Sequence, residues 1–333
     1  MPISFHARIL LGLDKKEANQ MKGKKIVVTG GAGFIGSNLA WSLCDENKVA
    51  VVDNLSTGRI ENIAPIIDSR KIQFIKGSVT DLQLMKRVLT GVDIVFHEAA
   101  IPSVPRSIAD PISSNEAGVT GTLTALLAAR DCGVKRFVYA SSSSVYGDTP
   151  TLPKHEEMPM NPISPYAATK VASETYCRLF NELYGLSTVS LRYFNVFGPR
   201  QDPTSQYAAV VPRFISKALS GGDLIVYGDG LQTRDFTYVQ DTVSANILAA
   251  EGSSSGSYNI ASGKQITIRE LASTVLGIAN SKAIVKYDAP LSGDIRHSLA
   301  DITKARKAFG YAPSYSIQQG LKETVAWFSK GNR

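Results

Sequence analysis

Cysteine is scarce. Cys44, Cys132 and Cys177 are the three in 333 residues, spaced too far apart for a CxxC redox pair or a zinc knuckle. That usage fits a reducing compartment, where each thiol reads as small apolar filler in a helix. Long apolar runs are missing too: none approaches the ~18 residues that a membrane span needs, so no membrane partner is expected. The four histidines (His6, His97, His155, His297) show no HxxxH pair and no acid at ligand spacing, so no metal is expected. His97, at a strand end, reads as a satisfied core imidazole. Basic charge is scattered, except for Lys15, Lys16, Lys22, Lys24 and Lys25 near the start, and no nucleic acid is expected as partner. Arg130, Lys135 and Arg136 read as serving a helix end and solvent. The net charge of +7 suits an anionic ligand. The opening segment, MPISFHARILLGLDKKEANQ, has no small-residue cleavage pattern, so 1–21 reads as an extension rather than a signal peptide. A soluble, cytoplasmic enzyme is the expectation.

What is present supports a large core: hydrophobic residues make up 44% and charged residues 20%. At ~150 residues per domain, that length suggests about two domains. From Lys25 onward short β-branched runs alternate with longer helical patterns. KIVVTG, KVAVVD, KIQFIKG, DIVFHEAA, KRFVYAS and STVSLRYFNVFG read as strands. GFIGSNLAWSLCDE, LQLMKRVLTG, NEAGVTGTLTALLAARDCG and YAATKVASETYCRLFNELYG read as helices between them. Apolar strands without alternation imply a parallel sheet covered on both faces, a doubly wound α/β fold. After about residue 198 the rhythm changes. GPRQDPTSQYAAVVP reads as loop, YGDGLQTRDFTYVQD as turns with a short strand, and GSSSGS (252–257) as a flexible surface loop. Helical patterns return at TIRELASTVLGIAN and IQQGLKETVAWFSK, so the second half reads as a smaller decorating domain.

The strand KIVVTG runs into a loop with glycines at Gly30, Gly33 and Gly36, and then into a helix. Such glycines permit a tight turn, close approach of backbone to a pyrophosphate and close helix–strand packing, with the helix N-terminus facing the phosphate charge. Asp53 stands 23 residues after Gly30, at the end of the next strand, where a carboxylate accepts hydrogen bonds from the adenosine ribose. It also repels a 2′-phosphate, so the cofactor expected is NAD. Arg59 is near enough to soften that repulsion, but Asn54-Leu55-Ser56-Thr57-Gly58 reads as a polar ribose loop.

Tyr166 and Lys170, four apart at the opening of a helix, project from one face. Ser141-Ser142-Ser143-Ser144 ends a strand at the carboxyl edge, where open α/β sheets bind ligands. A lysine cation beside NAD⁺ lowers a tyrosine pKa from its ordinary ~10, so that the phenolate takes a hydroxyl proton while a serine orients the same oxygen.

TGGAGFIG, the serine cluster followed by VYGD, and PYAATK resemble the extended short-chain dehydrogenase/reductase family from Lys24 to the C-terminus. SVPRSIADP, LRYFNVFGPRQDP, RDFTYV and SGDIRHSLAD are similar to UDP-sugar 4-epimerases, most of all the branch that acts on UDP-N-acetylglucosamine and UDP-N-acetylgalactosamine. The resemblance implies tightly held NAD⁺ that takes hydride from sugar C4, rotation of the 4-keto sugar, and return of hydride to its other face. It implies a Rossmann-type doubly wound parallel sheet with a smaller mixed α/β substrate domain. The NAD-binding domain would span 22–195 with a return segment at about 236–262. The UDP-sugar-binding domain would span 196–235 and 263–333.

Carried over by position, Tyr166 would be the base and Lys170 the cation that also holds the nicotinamide ribose. The serine four before the VYG tyrosine is Ser142, with Ser143 and Ser144 near enough to share its role. Phe34, Ile35, Ser78, Val79 and Ala99 join the glycine loop and the 53–58 segment as cofactor contacts. Asn195, Ala209, Val210, Arg234 and Asp294 would contact the UDP-hexose. Ser103 and Arg106 resemble sugar- or diphosphate-facing loop residues. Ser298 matches the wall beside the sugar C2 substituent, where a small side chain admits N-acetyl. Two positions depart from the family pattern. Leu291 replaces a second diphosphate arginine, costing about 1.5–3 kcal/mol unless Arg296 or Arg106 substitutes. Ser78 replaces an aspartate that reads adenine.

A homodimer is also implied, through NEAGVTGTLTALLAARDCG and the Tyr166 helix. Dehydratases and decarboxylases on this scaffold carry an acid between the catalytic hydroxyl and the VYG tyrosine, where this chain has Ser143 and Ser144. A non-catalytic NAD sensor is the third alternative, although such proteins commonly lose the Tyr/Lys pair.

Overall fold

The structure, a computed structural model, describes residues 21–205, 208–290 and 295–331. Six strands lead off in the chain: β1 (Lys25–Thr29), β2 (Lys48–Asp53), β3 (Ile72–Lys76), β4 (Ile94–His97), β5 (Arg136–Ser142) and β6 (Thr188–Tyr193). Four shorter ones follow: β7 (Val196–Phe197), β8 (Leu224–Tyr227), β9 (Thr233–Arg234) and β10 (Thr237–Tyr238). Then β11 (Gly256–Ile260) returns to pair with β6. β12 (Ile266–Thr267) and β13 (Val285–Asp288) pair with β9 and β8. The central sheet has seven strands in the order β3-β2-β1-β4-β5-β6-β11, all parallel.

Helices cover both faces of that sheet. They are α1 (Phe34–Leu43), α2 (Ala64–Asp68), α3 (Leu82–Leu89), α4 (Val104–Ala109), α5 (Pro111–Asn115), α6 (Gly121–Asp131), α7 (Pro165–Tyr184), α8 (Val210–Leu219), α9 (Val239–Glu251), α10 (Ile268–Ile278), α11 (Thr303–Phe309) and α12 (Ile317–Ser329). The strands are apolar on successive residues because both faces are buried. Ile26 and Val28 pack into one core, while Val27 packs into the core on the opposite face. A third core, with Phe197, Phe214, Leu224, Leu271, Leu321 and Phe328, joins α8, α10 and α12.

Three local expectations are corrected. Residues 256–257 of the GSSSGS stretch open β11, an edge strand too short for periodicity to mark. The loop-like GPRQDPTSQYAAVVP gives way to α8 at Val210. Arg136 is not solvated: it is buried at 4% exposure. Its guanidinium donates to Ala249 O, Ser254 O and Ser187 Oγ, tying β5 to α9 and the turn after it. A buried charge survives only with partners of that kind.

The strand order reverses between β1 and β4, so the chain leaves these neighbours in opposite directions. A crevice opens between them at the carboxyl edge of the sheet.

Candidate active site

At the crevice the chain turns at Gly30, whose φ of +67° belongs to the left-handed region. A Cβ there would lie 2.6 Å from the Ala99 nitrogen, and one on Gly36 would collide with the Gly30 carbonyl oxygen. Only glycine lets the loop, α1 and the chain leaving β4 meet so closely. Gly33 caps α1 without a side-chain bond, which leaves the first amide groups of a ten-residue helix free for an anion. Asp53 ends β2, with one carboxylate oxygen accepting from Ala32 N (3.0 Å) and the other from Leu55 N (2.8 Å). Burial raises its pKa and those two amide bonds oppose the rise. Each oxygen keeps a lone pair for a ribose hydroxyl. Every residue expected to hold the dinucleotide, from Gly30 to Ala99 with Tyr166 and Lys170, lines one cavity of about 780 Å³. The glycine cradle, the amide donors and the carboxylate fit NAD. The Ser78 hydroxyl is engaged with Thr80 (2.8 Å), which leaves it a weak reader of adenine.

The reacting groups sit at the far end of this cavity. α7 starts on Ser164, whose hydroxyl accepts from Ala167 N, with Pro165 in the first turn. The Tyr166 amide donates to Ser107 Oγ (3.0 Å), so the SVPRS segment clamps the helix start. Lys170 is buried, its ammonium donating to Ala140 O at 2.6 Å and lying 5.6 Å from the Tyr166 ring centroid. Burial pushes Lys170 down to about 8, against the opposing pull of Glu98 and Glu174. Burial also raises Tyr166, and the neighbouring Ser142 hydroxyl pulls it back. Burial thus leaves the phenol harder to ionise than usual.

Ser142 also accepts from Ser144 N (3.1 Å) at the start of a short 3-10 turn. Of the serine candidates, Ser142 has this contact with the phenol, and it too lies outside the cavity lining. Ser143 is partly buried and lies outside the cavity lining, and the Ser144 hydroxyl is enclosed without a partner. Ser141 lines the cavity but donates its hydroxyl to Glu174.

The expected substrate residues divide. Ser103, Arg106 and Ala209 line the same cavity. Asn195, Val210, Arg234 and Ser298 are outside its lining. Asn195 donates to Asp235 O (3.2 Å), and Val210 is the first residue of α8. Arg234 sits on β9, donating to Thr233 O. Ser298 is buried, its amide bonded to Thr233 O (3.1 Å), so the wall beside a C2 substituent gains no contact with the cavity from it. Asp294 and Leu291 lie outside the described residues. Arg296 is committed to a two-pronged pair with Asp229 (both 2.8 Å), so of the two candidate replacements for the missing arginine, Arg106 is the one facing the cavity.

Sequence reasoning missed Glu98, Tyr193 and Arg200, all in the cavity lining. Glu98 and Tyr193 stand at the carboxyl ends of β4 and β6, a position that marks binding residues in open sheets. His97 faces the other way and is a core imidazole, bonded to Thr29 Oγ1 (2.8 Å) and Thr122 Oγ1 (3.1 Å). Among described residues six non-glycines have positive φ, and Leu55, Ser103 and Arg200 of these line the cavity. Strain of about 1–3 kcal/mol each gathers where a ligand site must be held open.

Residues 26–261 match the NAD dependent epimerase/dehydratase family. A UDP-N-acetylglucosamine 4-epimerase from Methanobrevibacter ruminantium M1, solved in complex with UDP-N-acetylmuramic acid, is 44% identical with a TM-score of 0.91, over 93% of this chain and 100% of that one. The UDP-glucose 4-epimerase of Mycolicibacterium smegmatis is 38% identical over 91% of this chain and 98% of its own length. A UDP-N-acetyl-alpha-D-glucosaminuronate decarboxylase of Bacillus cytotoxicus is 37% identical over 92% of this chain and 98% of its own. With the glycine cradle, the Asp53 carboxylate, Tyr166 and Lys170 already in one cavity, these matches make the chain a member of the NAD dependent epimerase/dehydratase family, with NAD as its cofactor.

Proposed function

We propose that this protein is a UDP-sugar 4-epimerase that inverts C4 through a transient 4-keto sugar. Its substrates are the UDP-N-acetylglucosamine/UDP-N-acetylgalactosamine pair and the UDP-glucose/UDP-galactose pair. The observation that carries the reading is Tyr166 and Lys170, one helical turn apart, lining the dinucleotide cavity, with the Ser142 hydroxyl beside the phenol. When bound, NAD supplies reversible hydride acceptance at a sugar carbinol carbon. Tyr166 removes the C4 hydroxyl proton and Ser142 orients that oxygen. Lys170 places a positive charge where the phenolate forms, offsetting the burial that holds the phenol protonated. Arg106, which lines the cavity, takes diphosphate charge. The similarity to a UDP-N-acetylglucosamine 4-epimerase supports the N-acetylated pair.

The similarity to a decarboxylase keeps that chemistry as an outcome of the test, but Ser143 and Ser144 provide no acid beside the catalytic hydroxyl. Incubating the protein with each UDP-sugar and no added reductant is expected to yield the C4 epimer, read by anion-exchange chromatography. A 4-keto-6-deoxy sugar, or a pentose from a uronic acid, would transfer the protein to the dehydratase or decarboxylase reading. No product with any UDP-sugar would leave only the sensor.

A homodimer through residues 115–133, which include α6, and α7 belongs to the same proposal. On α7, Leu183 and Tyr184 are 67% and 52% exposed, large apolar side chains that a partner subunit would cover. The double variant Leu183→Asp, Tyr184→Asp should sediment as a monomer where the parent sediments as a dimer. A monomeric parent would overturn the assignment.

Among the described residues no helix is long and apolar enough to cross a membrane.

A further inference from the structure

One carboxyl in the cleft has no part in the chemistry above. Glu98 follows β4, its amide bonded to Thr29 O (3.1 Å) and the next residue pressed against Gly30. It lines the same cavity as Tyr166, Lys170 and Tyr193. Its Oε1 accepts from the Tyr193 hydroxyl at 2.8 Å. That hydroxyl also meets the Asn246 amide, accepting from Nδ2 at 2.8 Å, with Oδ1 at 3.1 Å, and its shorter donor contact is the one to Glu98. A carboxyl held by a donor, itself held by a second donor, has a fixed place beside the reacting pair.

From α7, Glu174 also acts on Lys170, but its two oxygens are taken by the Arg192 guanidinium at 2.8–3.3 Å, which cancels its charge. Cys177 and Tyr139 are buried thiol and phenol, both raised by burial and so uncharged. Tyr193 on β6 is likewise raised well above its ordinary value by burial. His97 on β4 is pushed down to about 3 by burial and stays neutral. Asn246 on α9 does not titrate. Glu98 is left as the uncancelled negative charge acting on both Tyr166 and Lys170.

We propose that Glu98 is a positioning carboxyl whose charge, from within the cavity they share, fixes the proton distribution between Tyr166 and Lys170. Ionised, it keeps Lys170 an ammonium and holds Tyr166 as a phenol. Protonated, it releases both. Burial raises Glu98 to about 7, against the pull of Tyr193 and Lys170, so this switch lies within the working pH range. The sign is fixed by Coulomb's law: a lost negative charge stabilises a phenolate and destabilises an ammonium, so both pKa values fall.

The proposal rests on Tyr166 as the base, so its primary test needs no turnover. Tyrosinate absorbance is titrated in the full chain, and the same titration of a Tyr166→Phe partner is subtracted to isolate the Tyr166 step. In Glu98→Gln the step is expected at a pH lower by about one unit or more. A second neutral variant, Glu98→Met, should move it the same way if the glutamine form fails to fold. Glu98→Asp keeps the charge and should keep the step within a few tenths of a unit. A step that stays in place in the neutral variants, or that moves as far in the aspartate variant, overturns the proposal. The acid limb of kcat/KM for the UDP-sugar should follow the same shift. A shifted step in a protein without epimerase activity would sink the epimerase reading alone. An unmoved step in an active epimerase would sink this one alone.

Discussion

Replacing Tyr166 by Phe should lower kcat for C4 epimerisation by about 10²–10⁴-fold, the usual contribution of a positioned acid–base group. The ring that packs 5.6 Å from Lys170 Nζ stays, and the variant loses only the phenol oxygen beside the Ser142 hydroxyl. The stability cost should therefore be about 1 kcal/mol or less. Turnover and melting temperature must separate: a large fall in kcat with a nearly unchanged melting curve identifies the phenol as chemical. A kcat within a few-fold of the parent would remove Tyr166 from the mechanism and, with it, the epimerase reading. The pH dependence carries the same sign. Because burial holds the free phenol above its ordinary value, activity should rise with pH on the alkaline side of neutrality until Lys170, pushed down to about 8, begins to lose its proton.

The largest stability effect is expected at Arg192. It lies on β6 with its side chain 5% exposed, against Glu174 on α7 at 4%. Glu174 also accepts from Ser141 Oγ on β5 and from Ser257 Oγ on β11 (2.9 Å). Arg192 donates besides to the Tyr146 hydroxyl (2.8 Å), which in turn donates to Asn259 Oδ1 (2.6 Å). One ion pair therefore joins three strands to the helix that carries Tyr166 and Lys170. Arg192→Met leaves Glu174 buried with an uncompensated charge, which costs about 3–5 kcal/mol. Pairing it with Glu174→Leu should recover most of that loss, since a buried pair replaced whole by apolar groups is near neutral. Thermal melting of the two variants decides the matter. A single variant that melts like the parent, or a double variant no better than the single, would show that the pair does not hold these elements together. Loss of register should also reach the chemistry, because Ser141 precedes Ser142 and Glu174 stands one helical turn beyond Lys170.

Epimerases and dehydratases share the dinucleotide half of this site, so the difference between them has to arise at the sugar end. In this chain positions 143 and 144 are serines outside the cavity lining, and the lining carries a carboxyl at Glu98. The Glu98 carboxyl is tied to Tyr193 and Asn246 and not to the serine turn. That placement suits control of the Tyr166–Lys170 charges rather than proton delivery to a neighbouring sugar carbon.

What the amino-acid order settled by itself is what consecutive residues can encode. The Gly30–Gly36 turn, the carboxylate at the end of the second strand and the four-residue step from Tyr166 to Lys170 are local patterns, each set by backbone geometry or helical period. The apolar strands announced a parallel sheet because both of its faces are buried. Tertiary structure alone decided the rest. Arg136 looks like surface charge until β5 is laid against α9, and GSSSGS looks like loop until its end pairs with β6. Glu98 and Tyr193 are 95 residues apart, and Glu174 and Ser257 are 83 apart. No periodicity spans such distances. A charge becomes functional there because folding removes its water and leaves it one set of partners.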